Sequence, residues 1–282
     1  MRERPRVVTE VGARGVRRIA GGGLRGEVVT GSPLDLLLVG GADVEEWFSG
    51  PGEVLKEDGP IQVRLLPGRE GEKIFAKRFA AKNRLHVVKA VLRRQRAPHL
   101  WRMTRAFQEA GLPVPAPFGY LLRGRGGRST SYFFGEALRD VDDLWTIAHR
   151  RGDFVTWLAD IDLMARVGAT IATMHRQGLT HGDTKWKNIA VHEESGRFWL
   201  LDLDSARRSR RRQTRRMWKD IARFLVSARG ARVGTDATGR YLSAYAARRG
   251  MPLDRVERAS KPLVASIVAR HRRQYGSDDR RS

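Results

Sequence analysis

An eight-residue polar segment near the middle of the chain, His181-Gly182-Asp183-Thr184-Lys185-Trp186-Lys187-Asn188, constrains its fold more than any other feature. It follows a stretch with helical apolar periodicity and precedes a short apolar run, so it predicts a loop held at both ends by buried elements. Within it an Asp stands five residues before an Asn, and a Lys stands two residues after that Asp. Those residue types at that spacing suit phosphoryl transfer. A carboxylate can orient and accept a proton from an attacking hydroxyl, oxygen ligands can hold the Mg2+ that screens ATP, and an ammonium can meet the charge that builds on the moving group. Asp183 suits the first role, Asn188 the second and Lys185 the third.

Two further segments fit the same chemistry in the same order. Trp199-Leu200-Leu201-Asp202-Leu203-Asp204 is an apolar strand ending in carboxylates, with Asp202 fourteen residues beyond Asn188 and suited to bind the metal alongside it. Phe75-Ala76-Lys77 places a lysine on a strand, where it would contact the ATP phosphates, after turn glycines at Gly59, Gly68 and Gly71.

Around these segments the chain divides into three regions. Residues 1–45 are rich in Arg and Gly and are expected to form an irregular basic leader. Residues 46–136 read as a small lobe. Its strands are expected at Glu53–Lys56, Ile61–Leu66, Lys73–Phe79, Gly119–Leu122 and Ser131–Phe134, with one basic helix from about Leu85 to Ala110. Residues 137–282 read as mainly helical. Trp157, Ile161, Met164, Gly168 and Ile171 mark one long core helix, strands follow at Ile189–Val191 and Phe198–Leu201, and a later helix carries Met217, Ile221, Phe224 and Leu225. The expected class is therefore α+β in two lobes, a small antiparallel sheet with one helix and a mainly helical partner.

The ordered set Lys77, His181-Gly182-Asp183, Asn188 and Leu201-Asp202-Leu203-Asp204 resembles the lipopolysaccharide kinase family, the Kdo and heptose kinases of the inner core, within the protein-kinase-like superfamily. Further likeness lies in Ala110-Gly111-Leu112-Pro113-Val114-Pro115, in Met174-His175 before Gly178, and in Lys219-Asp220-Ile221-Ala222-Arg223. Asp204, where protein kinases have Gly, is similar to the sugar-kinase members, and Asp220 resembles the buried helix Asp that braces the catalytic loop. The resemblance implies a protein-kinase-like fold and an ATP- and Mg2+-dependent phosphotransferase acting on a sugar hydroxyl. Asp183 and Lys185 would be catalytic, Lys77 would hold the nucleotide, and Asn188 and Asp202 would hold nucleotide and metal. Two features depart from the kinase pattern. No acidic residue occurs from Ala80 to Phe107 to pair with Lys77, with Glu109 near the helix end, and no GxGxxG covers the phosphates, leaving Lys56 to Ile61 for that task.

Charge bears on the partner. Lys and Arg number 54 against 31 Asp and Glu, a formal net charge of +23, which points to an anionic partner: nucleic acid, acidic membrane or phosphorylated glycolipid. The resemblance favours the glycolipid, a lipopolysaccharide precursor met on the inner face of the cytoplasmic membrane, with no nucleic acid expected. The segment Arg207–Arg216, seven of ten residues Arg, has three readings: a solvated loop, a site for acceptor phosphates or acidic sugars, or a nucleic-acid patch. Its position after Asp202 favours the second. Arg93, Arg94, Arg96, Arg102 and Arg105 could add attraction to an anionic membrane, a solvated face being the alternative. Trp186 is expected in the core rather than as a sugar platform, and His181 as a support for the loop rather than a base.

The absence of Cys excludes disulfides, thiolate metal sites and a Cys nucleophile. Arg2, Arg4, Arg6, Arg14, Arg17 and Arg18 interrupt the region where an export signal would lie, so a cytoplasmic, peripheral location is expected. Two rival readings remain: a kinase of the same fold acting on protein or a small metabolite, and a non-catalytic kinase-like scaffold that binds nucleic acid or other anions.

Overall fold

The computed structural model describes residues 11–12, 15–21, 23–39, 43–68, 71–80, 95–124, 129–209 and 214–275. Contacts group the chain into two compact units, Met1–Arg105 with Pro115–Arg139, and Ala106–Val114 with Asp140–Ser282.

The first unit is built on an eight-stranded antiparallel sheet. In chain order its strands are β1 (Val11–Gly12), β2 (Val16–Gly21), β3 (Leu24–Val29), β4 (Glu53–Asp58), β5 (Ile61–Pro67), β6 (Lys73–Phe79), β7 (Pro117–Arg123) and β8 (Thr130–Glu136). They lie side by side as β1-β2-β3-β7-β8-β6-β5-β4. Alternate residues of the central strands, among them Leu66, Ile74, Ala76, Leu121, Tyr132 and Phe134, share a buried core with Leu34, Val44 and Phe48. Leu34 lies on helix α1 (Pro33–Val39) and Phe48 on helix α2 (Glu46–Ser49). Arg64 donates to the carbonyls of Phe48, Gly50 and Gly52, using one guanidinium to satisfy the carbonyls where α2 ends.

Residues 1–45 are not irregular where they are described. β2 and β3 pair over six residues and β3 docks antiparallel on β7, so this segment widens the sheet rather than leading into it. The sequence pattern hid this because each strand buries a single large side chain, Ile19 in β2 and Val28 in β3, among arginines and glycines. Backbone pairing and the facing charges of Arg18 and Glu27 make up for the missing apolar alternation. The five strands expected in the small lobe are present as β4 to β8. The basic helix is described as α3, Arg96–Glu109, with Trp101 buried and donating from Nε1 to Glu27 at 3.0 Å. Its expected earlier turns, including Arg93 and Arg94, lie outside the described residues.

In the second unit the short strand β9 (Asp142–Asp143) leads into helix α4 (Leu144–Arg150), which Asp143 caps by accepting the Thr146 amide at 2.9 Å. The expected single core helix is two: α5 (Phe154–Asp160) and α6 (Leu163–Arg176). The apolar period runs through the junction, but Asp162 adopts a left-handed φ of 47° and breaks the axis there. Three helices follow later, α7 (Thr214–Gly230), α8 (Thr235–Arg249) and α9 (Leu253–Tyr275). α6 and α8 approach closely, since a Cβ placed on Gly168 would sit 2.3 Å from the carbonyl oxygen of Tyr241. Among the described residues no helix is long and apolar enough to cross a membrane.

Candidate active site

Two short antiparallel ladders frame the loop. At one end β10 (Leu179–Thr180) pairs with β13 (Arg207–Arg208), which sets Thr180 opposite Arg207. At the other end β11 (Ile189–Val191) pairs with β12 (Phe198–Leu200), which sets Ile189 opposite Leu200. The intervening segments, 181–188 and 201–206, are thereby held beside each other, and the Leu201 amide donates to the Asn188 carbonyl at 2.9 Å. Gly182 makes the close fit possible. Its φ is 84°, and a Cβ there would lie 2.6 Å from the Ser205 carbonyl oxygen, so only Gly meets both the backbone angle and the space.

The loop is also held from below by α7. Asp220, fully buried, accepts the amides of His181 at 2.9 Å and Gly182 at 2.8 Å, one on each carboxylate oxygen. The same carboxylate lies 3.3 Å from Nε2 of His175, whose Nδ1 is 2.9 Å from the hydroxyl of Tyr245. Burial pushes the His175 imidazole below its usual pKa, although Asp220 pulls the other way. Burial also pushes the Tyr245 phenol up to about 12. A neutral imidazole donating from Nε2 to Asp220 and accepting the Tyr245 proton on Nδ1 satisfies all three groups. Thr184 adds a hydrogen bond to the Asp220 carbonyl, and Ser227 accepts the Trp186 amide at 3.2 Å.

The residues singled out in the loop come together. Asn188 donates from Nδ2 to the Asp183 carbonyl at 2.8 Å and to Asp183 Oδ2 at 3.0 Å, and Lys185 Nζ lies 3.1 Å from the same Oδ2. The Asp183 carboxylate is about a third exposed, with side-chain exposure of 31%. It is thus oriented by neighbours yet open to a ligand. His181 is fully buried, accepts the Asp183 amide on Nδ1 at 3.3 Å, and lies edge-on to Phe107. Burial lowers its pKa against the pull of Asp220, Asp183 and Asp202, which leaves a neutral support under the loop. Trp186 is completely buried between Phe154 and Phe224, with ring centroids 5.9 and 5.7 Å away, so it is core rather than a sugar platform.

Asp202 is exposed and left-handed, with φ 56° and ψ 63°, at the first residue past the β12 strand and Leu201. Non-glycine residues in this region are uncommon, although Asp tolerates it better than most. The donor set fits a hard divalent cation. Asn188 turns its Nδ2 toward Asp183, and among the described residues no hydrogen bond reaches its Oδ1, so that oxygen is left for a ligand. No cluster of three or more His, Cys, Asp or Glu side chains placed to hold a metal occurs among the described residues. The protein would then supply two oxygen-bearing side chains, as Mg2+ sites completed by phosphates and water require.

Lys77 belongs to the first unit. It is 8% exposed on β6, beside Val63 and Phe133 in the sheet register, with Nζ 5.4 Å from the centre of the Phe79 ring. The segment Lys56 to Ile61, expected to cover phosphates, is the exposed turn of the β4–β5 hairpin, with Gly59 at its tip. Arg223 was not foreseen as part of the site. Its guanidinium donates to the Gly182 carbonyl, and its Nε lies 3.8 Å from Asp183 Oδ1. The signal was available in the spacing, since Arg216, Asp220 and Arg223 fall on one face of a helix.

Comparison with known proteins bears on the same region. Residues 66–245 match the model of the lipopolysaccharide kinase (Kdo/WaaP) family. A 3-deoxy-D-manno-octulosonic acid kinase of Stenotrophomonas maltophilia (strain R551-3) is 30% identical over 144 residues, 50% of this chain and 55% of that protein. One of Xylella fastidiosa (strain 9a5c) is 24% identical over 202 residues, 68% of this chain and 77% of that protein. The chain spans about half the length of the first curated relatives it matches. Among solved structures, a chain described as WaaP in complex with acyl carrier protein superposes with a TM-score of 0.65 at 21% identity, over 86% of this chain and 97% of that one. At that identity the likeness bears on the fold, which is kinase-like.

Proposed function

The chain belongs to the lipopolysaccharide kinase (Kdo/WaaP) family, and on that premise we propose that it transfers the γ-phosphoryl group of ATP to a sugar hydroxyl of a lipopolysaccharide inner-core precursor, Kdo or heptose, at the cytoplasmic membrane face. The observation that carries this reading is the Asp183 carboxylate, held by Asn188 and Lys185 on a loop braced from beneath by Asp220 yet open enough to meet a hydroxyl. Asp183 accepts the proton of the acceptor hydroxyl as the hydroxyl oxygen bonds to the γ-phosphorus, while the bond from that phosphorus to the β–γ bridging oxygen breaks and its electron pair leaves with ADP. Lys185 turns from its ion pair toward the transferred group and offsets its charge. Lys77 holds the nucleotide phosphates. Asn188 and Asp202 would hold Mg2+, which screens the charge of the phosphates when bound.

The test uses the purified full chain with γ-labelled ATP, Mg2+ and a panel of lipopolysaccharide precursors, beside protein substrates, a nucleic-acid control and the Asp183→Asn variant. Label entering a glycolipid, and lost in the variant, is the expected result. Label found only in protein would move the acceptor to a polypeptide. No Mg·ATP-dependent turnover with any acceptor would overturn the enzyme reading in favour of a scaffold.

A further inference from the structure

Cations concentrate on one side of the loop beyond what the fold requires. α7 opens with Arg215 and Arg216 in its first turn and has no acidic residue there, although the amino end of a helix already carries positive partial charge. Arg216 donates from Nη2 to the Ser205 carbonyl at 3.1 Å, and two turns further along, Arg223 donates to the Gly182 carbonyl. The two arginines thus bond to segments that pack together, since a Cβ on Gly182 would lie 2.6 Å from the Ser205 carbonyl oxygen. Arg207 enters from the β10–β13 ladder, opposite Thr180 and exposed. Burial and the nearby charge of Arg207 lower the pKa of Arg216, with Arg223 adding to the effect and Asp220 opposing it. Like charges gathered at a helix amino terminus raise the energy of the folded protein unless an anion joins them. Among the described residues neither Arg207 nor Arg216 makes an ion pair.

We propose that Arg207, Arg216 and Arg223 form an acceptor subsite that binds an oxyanion, a carboxylate or phosphate borne by the acceptor sugar, and so places the reacting hydroxyl against Asp183. The proposal rests on the kinase reading above and adds what the acceptor must carry. Arg223 spans both functions, since it touches the catalytic loop and faces Asp183 at 3.8 Å. Arg207 and Arg216 have no bond to Asp183 and serve recognition. Guanidinium groups hold carboxylate and phosphate through paired hydrogen bonds, which fixes orientation as well as position. Acceptors lacking the anion would bind weakly and out of register.

The experiment compares wild type with Arg207→Gln and Arg216→Gln in two arms. In steady-state kinetics with Mg·ATP, each variant should raise the acceptor KM by about tenfold or more while the ATP KM stays near its wild-type value. An acceptor with its carboxylate esterified and one with its phosphates removed identify the anion, because the variants lose their handicap only on the acceptor lacking the group they bind. An unchanged acceptor KM, or a raised ATP KM in its place, would overturn the subsite while leaving the kinase reading intact. The second arm needs no turnover: inorganic phosphate is titrated and thermal stability is followed. Stabilisation seen in wild type and lost in Arg207→Gln supports the subsite even where no acceptor is phosphorylated, which would sink the kinase reading alone. Equal stabilisation of all three proteins overturns the subsite. Arg207 is exposed, so its variant tests the idea without a folding defect even where Arg216→Gln is unstable.

Discussion

Asp220 accepts the Gly182 amide at 2.8 Å on one carboxylate oxygen and the His181 amide at 2.9 Å on the other, thirty-eight and thirty-nine residues away along the chain. The conformation of the candidate catalytic loop is therefore written partly in helix α7. Asp220→Ala removes the acceptor for two buried amides and for His175. It should cost about 3 kcal/mol of stability or more, since three donors lose their acceptor and each one left unpaired costs at least about 1 kcal/mol. Asp220→Asn keeps one acceptor oxygen and should fall between wild type and Ala. Urea midpoints for the three proteins check this, and equal midpoints would mean that the loop holds its shape without the brace.

Gly182 offers a contrast with Gly111, because both have positive φ, 84° and 69°, but only Gly182 is crowded. Ala at position 111 meets open space and pays only the left-handed backbone cost of about 1–2 kcal/mol. Ala at position 182 meets the Ser205 carbonyl 2.6 Å away and must also push the 201–206 segment aside. Gly182→Ala should lose more stability than Gly111→Ala and lower turnover as well, whereas Gly111→Ala should leave turnover nearly intact. A Gly182→Ala protein with normal activity would show that the contact between the two segments is dispensable.

His175 and His181 set an acid limit on stability. Burial holds both below the ordinary value of 6.5 in the folded chain, whereas unfolding restores it. Between 6.5 and those lower folded values the unfolded chain binds more protons, so stability rises with pH across that window. The contribution is complete above about pH 6.5 and is lost as pH falls, with a slope approaching about 1.4 kcal/mol per pH unit for each imidazole. Denaturant midpoints should stay level from pH 7.5 to about 6.5 and fall from there down to 5.5. A flat profile would place the two imidazoles in contact with water.

Lys185 is half exposed, and its ion pair with Asp183 should add no more than about 1 kcal/mol to folding. The role proposed for it lies with the transferred group. Lys185→Met should leave the thermal midpoint nearly unchanged, keep the ATP KM close to wild type and reduce kcat by about a hundredfold or more. A variant with unimpaired kcat would remove Lys185 from the chemistry.

The parts of the site that were legible in the sequence are those whose chemistry demands neighbours along the chain. Asp183, Lys185 and Asn188 occupy one loop, and Asp202 lies just past the next strand but one, so their spacing singles them out as candidates. Partners supplied from a distance were harder to read. His175 and Tyr245 are seventy residues apart, and Arg223 reaches Gly182 only because α7 folds under the loop. β2 and β3 are hidden for a different reason: their order comes from main-chain pairing to each other and, through β3, to β7, with one large buried side chain each, and apolar alternation is too weak a signal there. The break at Asp162 is of a third kind, since the helical period continues across a residue whose backbone turns left-handed.

Asp202 allows its proposed metal binding to be separated from backbone geometry. The residue is exposed and sits at φ 56°, a conformation that Asn accepts about as well as Asp but that a β-branched residue resists. Asp202→Asn therefore preserves the backbone and removes only the negative charge, so its stability should stay within about 0.5 kcal/mol of wild type. The Mg2+ concentration giving half-maximal turnover should rise by about tenfold or more, because the cation would lose its anionic protein ligand and keep from the protein only the neutral Asn188 beside the phosphates and water. Asp202→Val would also abolish the ligand, but it would strain the turn, and its lost activity could not be assigned to the metal. The Asn variant is thus the decisive one: with a Mg2+ dependence superimposable on wild type, the cation would have to be held by residues other than Asp202.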